Sequence, residues 1–140
     1  SWCGITGLKT TAGRISNFGV LPLSPTLDTP GPMARTVEDA ALLYTVLQGP
    51  DPLDPRTRGL PYTDPMPQLK RGVKGLRLAR LPESERAFAS AEVLAAYDAS
   101  VEVLAQLGAE IVDIQLPFGF ADVAELNLRI MAAEGYAILH

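Results

Sequence analysis

The sequence predicts an α/β protein on three observations. A strand–helix–strand pattern runs from 76 to 114. The first 35 residues are short apolar runs broken by Gly and Pro. Two further stretches, 36–48 and the segment after Asp122, carry apolar residues at helical spacing. A chain of 140 residues that is 47% hydrophobic is long enough for one domain with a moderate core, and that composition excludes a disordered tail.

In chain order, residues 1–48 open with brief strands and turns such as Gly19-Val20-Leu21-Pro22-Leu23. The run Asp28-Thr29-Pro30-Gly31-Pro32 forces extended or turning backbone, because each Pro fixes its own φ and restricts its predecessor. Thr36-Val37-Glu38-Asp39 reads as a capping box, with both acids at the positive end of a helix. That helix should run to about Gln48 and stop at Gly49-Pro50. Its middle, Ala40-Ala41-Leu42-Leu43-Tyr44, is apolar on most sides and is expected to be buried. Residues 49–72 are rich in Pro and polar groups and read as a connector wrapped on a surface.

Residues 73–140 are more regular. Leu76-Arg77-Leu78-Ala79-Arg80-Leu81 alternates as a strand, and Leu94, Tyr97, Val101 and Leu104 form one helical face. Gly108 ends that helix and Ile111-Val112-Asp113-Ile114 follows as a strand, so the unit is expected to be a right-handed βαβ crossover with parallel strands. A last helix opens near Asp122 with Val123, Leu126, Ile130, Ala133 and Ala137 on one stripe. Leu128, Met131 and Ile138 lie off it, which predicts contact on two sides.

Charge and composition exclude several functions. Twelve Lys and Arg against 16 Asp and Glu give a formal charge of −4, with no basic cluster for phosphate contacts. Lys70, Arg71 and Lys74 read as a solvated rim, and nucleic acid is not an expected partner. One Cys excludes an internal disulfide, and one Cys with one His cannot close a structural zinc site. The longest mainly apolar stretch, 40–47, falls far short of the ~20 residues of a bilayer span.

Catalytic signatures mostly fail. The sequence has no Gly-x-Ser-x-Gly elbow and no Ser followed three residues later by Lys. Gly4-Ile5-Thr6-Gly7-Leu8-Lys9-Thr10 lacks the Gly that a phosphate loop needs before its Lys, so a turn and strand are expected. Cys3 and His140 have the chemistry of a thiolate–imidazolium pair but stand at opposite ends of the chain. Cys3 reads better as a small buried hydrophobe. Glu83, Glu85 and Arg86 after Pro82 read as a solvated charge cluster in a loop.

Two longer blocks say more. Trp2-Cys3-Gly4-Ile5-Thr6-Gly7-Leu8-Lys9-Thr10-Thr11 with Gly13-Arg14-Ile15-Ser16 resembles the stretch directly after the Gly-Gly-Ser-x-Arg-x-Pro-Ala nucleophile motif of the amidase signature family. Leu27-Asp28-Thr29-Pro30-Gly31-Pro32-Met33-Ala34-Arg35-Thr36-Val37-Glu38-Asp39-Ala40-Ala41 resembles a second block of that family, in the same order and spacing. Leu107-Gly108-Ala109-Glu110-Ile111-Val112 and Ala133-Glu134-Gly135-Tyr136 are similar to it less distinctively.

The resemblance implies part of a mixed β-sheet core flanked by helices, from an enzyme that cleaves carboxamide C–N bonds. Such enzymes use a Ser nucleophile, a second Ser on a cis peptide, a Lys proton relay and backbone N–H groups at the oxyanion. Carried over residue by residue, the triad falls outside this chain. Ser1 matches the small residue that trails the nucleophile motif, and Lys9 belongs to a structural block. No catalytic, cofactor-binding or metal-binding residue is therefore expected in 1–140, and no cofactor. The start at Ser1 without an initiator Met or leader, and the uncapped last helix, read as an incomplete domain that is inactive alone. The implied partners are the remainder of the amidase domain and, in the parent protein, a small-molecule amide; a homodimer is an open assembly and the cytoplasm the expected location. Two alternatives keep the fold: the glutaminase (A) subunit of a tRNA-dependent amidotransferase, and a non-enzymatic binding or assembly module.

Overall fold

The computed structural model describes residues 3–140, so Ser1 and Trp2, on which part of the first block rests, lie outside the described residues. The element order is β1 (Thr6–Gly7), β2 (Met33–Ala34), α1 (Val37–Leu47), 3₁₀ turns at Pro55–Thr57 and Met66–Gln68, β3 (Arg77–Arg80), α2 (Glu83–Arg86), α3 (Ala91–Gln106), β4 (Glu110–Asp113) and α4 (Phe120–Leu139). The chain divides into two units. One takes in the residues up to Lys70 together with Leu128–His140; the other is Arg71–Asn127. One antiparallel and one parallel ladder make the architecture mixed α/β, as expected.

In the first unit β1 pairs with β2, Thr6 opposite Ala34 and Gly7 opposite Met33. Leu8 N extends the ladder to Pro32 O at 3.0 Å. The Asp28–Pro32 run thus folds the chain back, and it does so through Gly31: a Cβ there would lie 2.0 Å from Leu8 O. Thr36 then caps α1 by accepting from Asp39 N at 3.0 Å, which leaves Glu38 and Asp39 in the positively polarised first turn. Helix α1 buries Ala40, Ala41 and Tyr44. Leu42 and Leu43 stand exposed, contrary to the fully buried middle that their apolar run suggests. Small residues on one side let the helix approach β1 and β2, and the two leucines project from the side that this unit leaves uncovered. Gly49, at φ +132, ends the helix as expected.

The second unit carries the expected crossover. β3 and β4 run parallel with Arg77 opposite Glu110, Leu78 opposite Ile111, Ala79 opposite Val112 and Arg80 opposite Asp113. Helix α3 between them starts at Ser90, whose hydroxyl accepts from Val93 N. Leu94, Tyr97, Val101 and Leu104 are its less exposed residues, the face read from the spacing. Gly108, at φ +94, turns the chain into β4, and Glu110 N bonds Leu76 O at 2.8 Å. The cluster Glu83–Arg86 is a turn of helix, not a solvated loop. Glu85 Oε2 accepts from Phe120 N at 2.8 Å and so caps α4, while Arg86 pairs with Asp98 at 3.3 Å and lies over the Tyr97 ring.

Helix α4 corrects the sequence reading most. Val123, Leu126, Ile130, Ala133 and Ala137 are all exposed, and the covered positions are Met131, Glu134, Gly135 and Ile138. That set also has helical spacing, but a Glu and a Gly replace two apolar residues in it. Hydrogen bonding at Glu134 and the missing Cβ of Gly135, which lets Leu23 come close, select this face over the more hydrophobic one.

Candidate functional site

Three features of the first unit have the concentration of polar groups and concave surface that a functional site needs. The segment after the nucleophile-like block, Thr6–Thr11, lines a cavity of about 450 Å³ with Arg14, the Ala40–Tyr44 side of α1, Pro65 and Leu69. Its polar groups point into backbone. Thr10 Oγ1 donates to Pro30 O at 2.8 Å, Lys9 Nζ donates to Thr10 O at 3.0 Å, and Arg14 bonds Pro61 O. Lys9 is thus a structural residue, and Gly4–Thr10 is a turn and strand, not a phosphate cradle. A wall built this way is stiff and mostly apolar; it carries no nucleophile activated by a neighbouring base.

The second feature is a polar knot within 16–57. Asp54, 5% exposed, accepts from Asn17 N at 2.8 Å and from Arg56 N, Nε and Nη2 at 3.1–3.2 Å. The Arg56 guanidinium and the Asn17 amide hold the Asp54 carboxyl at about 2, well below its usual 3.8. Thr57, 1% exposed, accepts from Asp51 N at 2.7 Å and donates to Asp54 O at 2.8 Å. Asp51 Oδ2 takes the Ser16 hydroxyl at 2.6 Å. The start of the Pro-rich connector is therefore buried, contrary to its reading as a surface wrap. Each Pro removes a donor that would otherwise need a partner, and the Asp and Thr side chains serve the N–H groups that remain.

The third feature joins the turn at 23–28 to the end of α4. Glu134 Oε2 accepts from Ser24 Oγ at 2.6 Å and Thr26 N at 3.2 Å, and Oε1 accepts from Thr26 Oγ1 at 2.6 Å. The two hydroxyls, Ser24 first, lower the Glu134 pKa. Asp28 Oδ2 gathers Leu23 N and Ser24 N from the other side.

The remaining candidates separate. Cys3 is exposed in the turn before β1, not buried, because a two-residue strand offers it no layer to pack under. His140 lies against Tyr136, ring centroids 4.5 Å apart. Among the described residues no group of three or more His, Cys, Asp or Glu is placed to hold a metal ion, and no helix is long and apolar enough to cross a membrane. Sequence reasoning does not single out Ser24, Asp54, Thr57 or Glu134. The available signals are in Asp51-Pro52-Leu53-Asp54-Pro55, two acids each before Pro, with Thr57 three residues beyond, the pattern of side chains that bond their own turns.

The sequence profile of the amidase family matches residues 1–140. The chain belongs to the amidase family. The glutaminase-type (A) subunit of the glutamyl-tRNA(Gln) amidotransferase from Trichlorobacter lovleyi is 43% identical over 117 residues, which cover 84% of this amidase chain and 24% of the relative. Among solved structures, the protein of the same name from Thermotoga maritima superposes with a TM-score of 0.83 at 28% identity, over 96% of this chain and 29% of that one. The native peptide amidase of Stenotrophomonas maltophilia gives 0.69 at 32% identity, over 81% and 23%. The chain spans about a quarter of the length of the curated relatives it matches.

Proposed function

We propose that residues 1–140 are the supporting part of an amide hydrolase, whose Ser, cis-Ser and Lys lie in other residues of the same protein. The observation that carries this reading is the amidase match along all 140 residues, which cover only about a quarter of the curated relatives. The cavity wall, the polar knot and the Glu134 contact fit a scaffolding role. Reacting groups lose their geometry with displacements of about 1 Å, so a stiff neighbour contributes to rate without touching substrate. Exposed apolar residues such as Leu42, Val46 and Leu126 fit surfaces that the remainder of the domain covers. Two-stranded ladders are marginal alone and fit a larger sheet, completed by strands from that remainder. The reading places the enzyme in the cytoplasm, without a cofactor.

The test is ammonia release from a panel of simple carboxamides, by the 140-residue chain alone and by the protein that carries it. The chain alone is expected to release none and the whole protein to release ammonia. Turnover by the chain alone overturns the scaffolding role, and an inert whole protein overturns the hydrolase. The 43% identity to an amidotransferase subunit favours a second reading, in which the amide is glutamine and the ammonia passes to a glutamyl-tRNA with the help of partner subunits. Glutamine consumption that rises when charged tRNA and those partners are added selects it.

A further inference from the structure

The contact between α4 and the turn at 23–28 is built differently from the others in the first unit. Glu134 lies 108 to 110 positions along the chain from its partners, and both of its oxygens are filled by donors. The turn is held independently from its far side, by Asp28 at the Leu23 and Ser24 amides and by Arg56 Nη1 on Pro25 O at 2.6 Å. We propose that the Glu134 carboxylate is a proton-operated latch, which seats the last turns of α4 on the turn while ionised and frees them when protonated.

The chemistry follows from which partners can reverse. Ser24 and Thr26 each have a hydroxyl that donates now and can turn to accept. Thr26 N–H can only donate, and a proton on Oε2 removes its acceptor. A proton on Oε1 forces the Thr26 hydroxyl to turn away from its 2.6 Å bond. Gly135 brings the backbone of α4 to within van der Waals range of Leu23, so little else bridges the gap once the carboxylate lets go. The charged groups around the latch are Asp28 and Arg56 on the side of the turn, and Arg129 and His140 along α4. Asp28 and Arg56 are committed to the turn and to Asp54. The Ser24 and Thr26 hydroxyls lower the Glu134 pKa, so the latch is closed at neutral pH. It opens as pH falls through that lowered value.

Hydrogen exchange of the protein that carries these residues tests this, with protection corrected for the intrinsic pH dependence of exchange. On acidification the amides of 24–28 and 128–140 should lose protection together, ahead of those in β3 and β4. Glu134→Gln keeps the shape but cannot titrate, so its protection in the two segments should not change with pH across the window where the wild type loses it. Thr26→Val should lower protection in 128–140 by about tenfold at neutral pH, the effect of one lost charge-assisted bond. Should Glu134→Gln not fold, Thr26→Val and the wild-type pH series decide. A Gln variant that loses protection over the same pH range as wild type overturns the latch. So does a wild type in which the two segments open at different pH.

Discussion

The knot at 16–57 and the strand–helix–strand at 77–113 solve the same problem with different materials. In the second, backbone groups satisfy one another through a parallel ladder and a 16-residue helix, and the side-chain ion pairs Arg80–Asp113 and Arg77–Glu110 sit on the surface. In the first, Gly and Pro prevent long regular elements, and single side chains take over the backbone's partners: Asp54 for Asn17, Thr57 for Asp51, Asp28 for Leu23 and Ser24. Regular structure spreads its hydrogen bonds over many interchangeable residues. An irregular knot concentrates them on a few that cannot be replaced.

The largest expected effect breaks the knot side at its tightest approach. Gly31→Ala places a methyl against Leu8 O and should destabilise the protein by about 3 kcal/mol, read as the shift of the urea midpoint. Gly59→Ala, at φ +74 with open space around it, meets only backbone strain and should cost about 1 kcal/mol. Between these falls Thr57→Val, which keeps the shape but leaves Asp51 N–H buried without its acceptor, at about 2 kcal/mol by the same measurement.

A further prediction is a pH dependence. The folded state holds the Asp54 carboxyl at about 2 against an ordinary 3.8, so the unfolded chain binds more protons between those values. The contribution of Asp54 is therefore complete above about pH 4 and lost as pH falls toward 2. An acid titration of Asp54→Asn should show a shallower fall than wild type over that interval; equal slopes would refute the assignment. The smallest effect sharpens the contrast from the other side. Arg80→Ala removes a 2.7 Å ion pair from the solvent-exposed ladder and should leave the melting midpoint unchanged within error, since exposed pairs are screened. A drop as large as that of Thr57→Val would erase the distinction between the regions.

The same contrast explains what can be read from the sequence. Helix α3 is legible down to its face, because Ser90, the spacing of Leu94, Tyr97, Val101 and Leu104, and Gly108 are all signals within one element. The capped start of α1 is legible for the same reason. The face of α4 is not: its apolar stripe points one way, and Ser24 and Thr26, more than 100 residues distant, turn it the other way. The knot is hidden because Pro and Asp between 51 and 57 look the same whether they are solvated or folded in on themselves. Of the site, the sequence conveys the family through two long blocks, and the structure adds the residues that hold those blocks in shape.

Glu85 has a consequence for the order in which the second unit folds. Its carboxylate caps the first turn of α4 from 35 residues upstream, at a helix start that carries no Ser, Thr, Asp or Asn cap of its own. Starting a helix is the costly step, and here its hydrogen-bond acceptor arrives only after the intervening α3 and β4 have closed the loop. The first turn of α4 is thus a late event by construction, and a substitution at Glu85 should act on the unfolding rate more than on the folding rate.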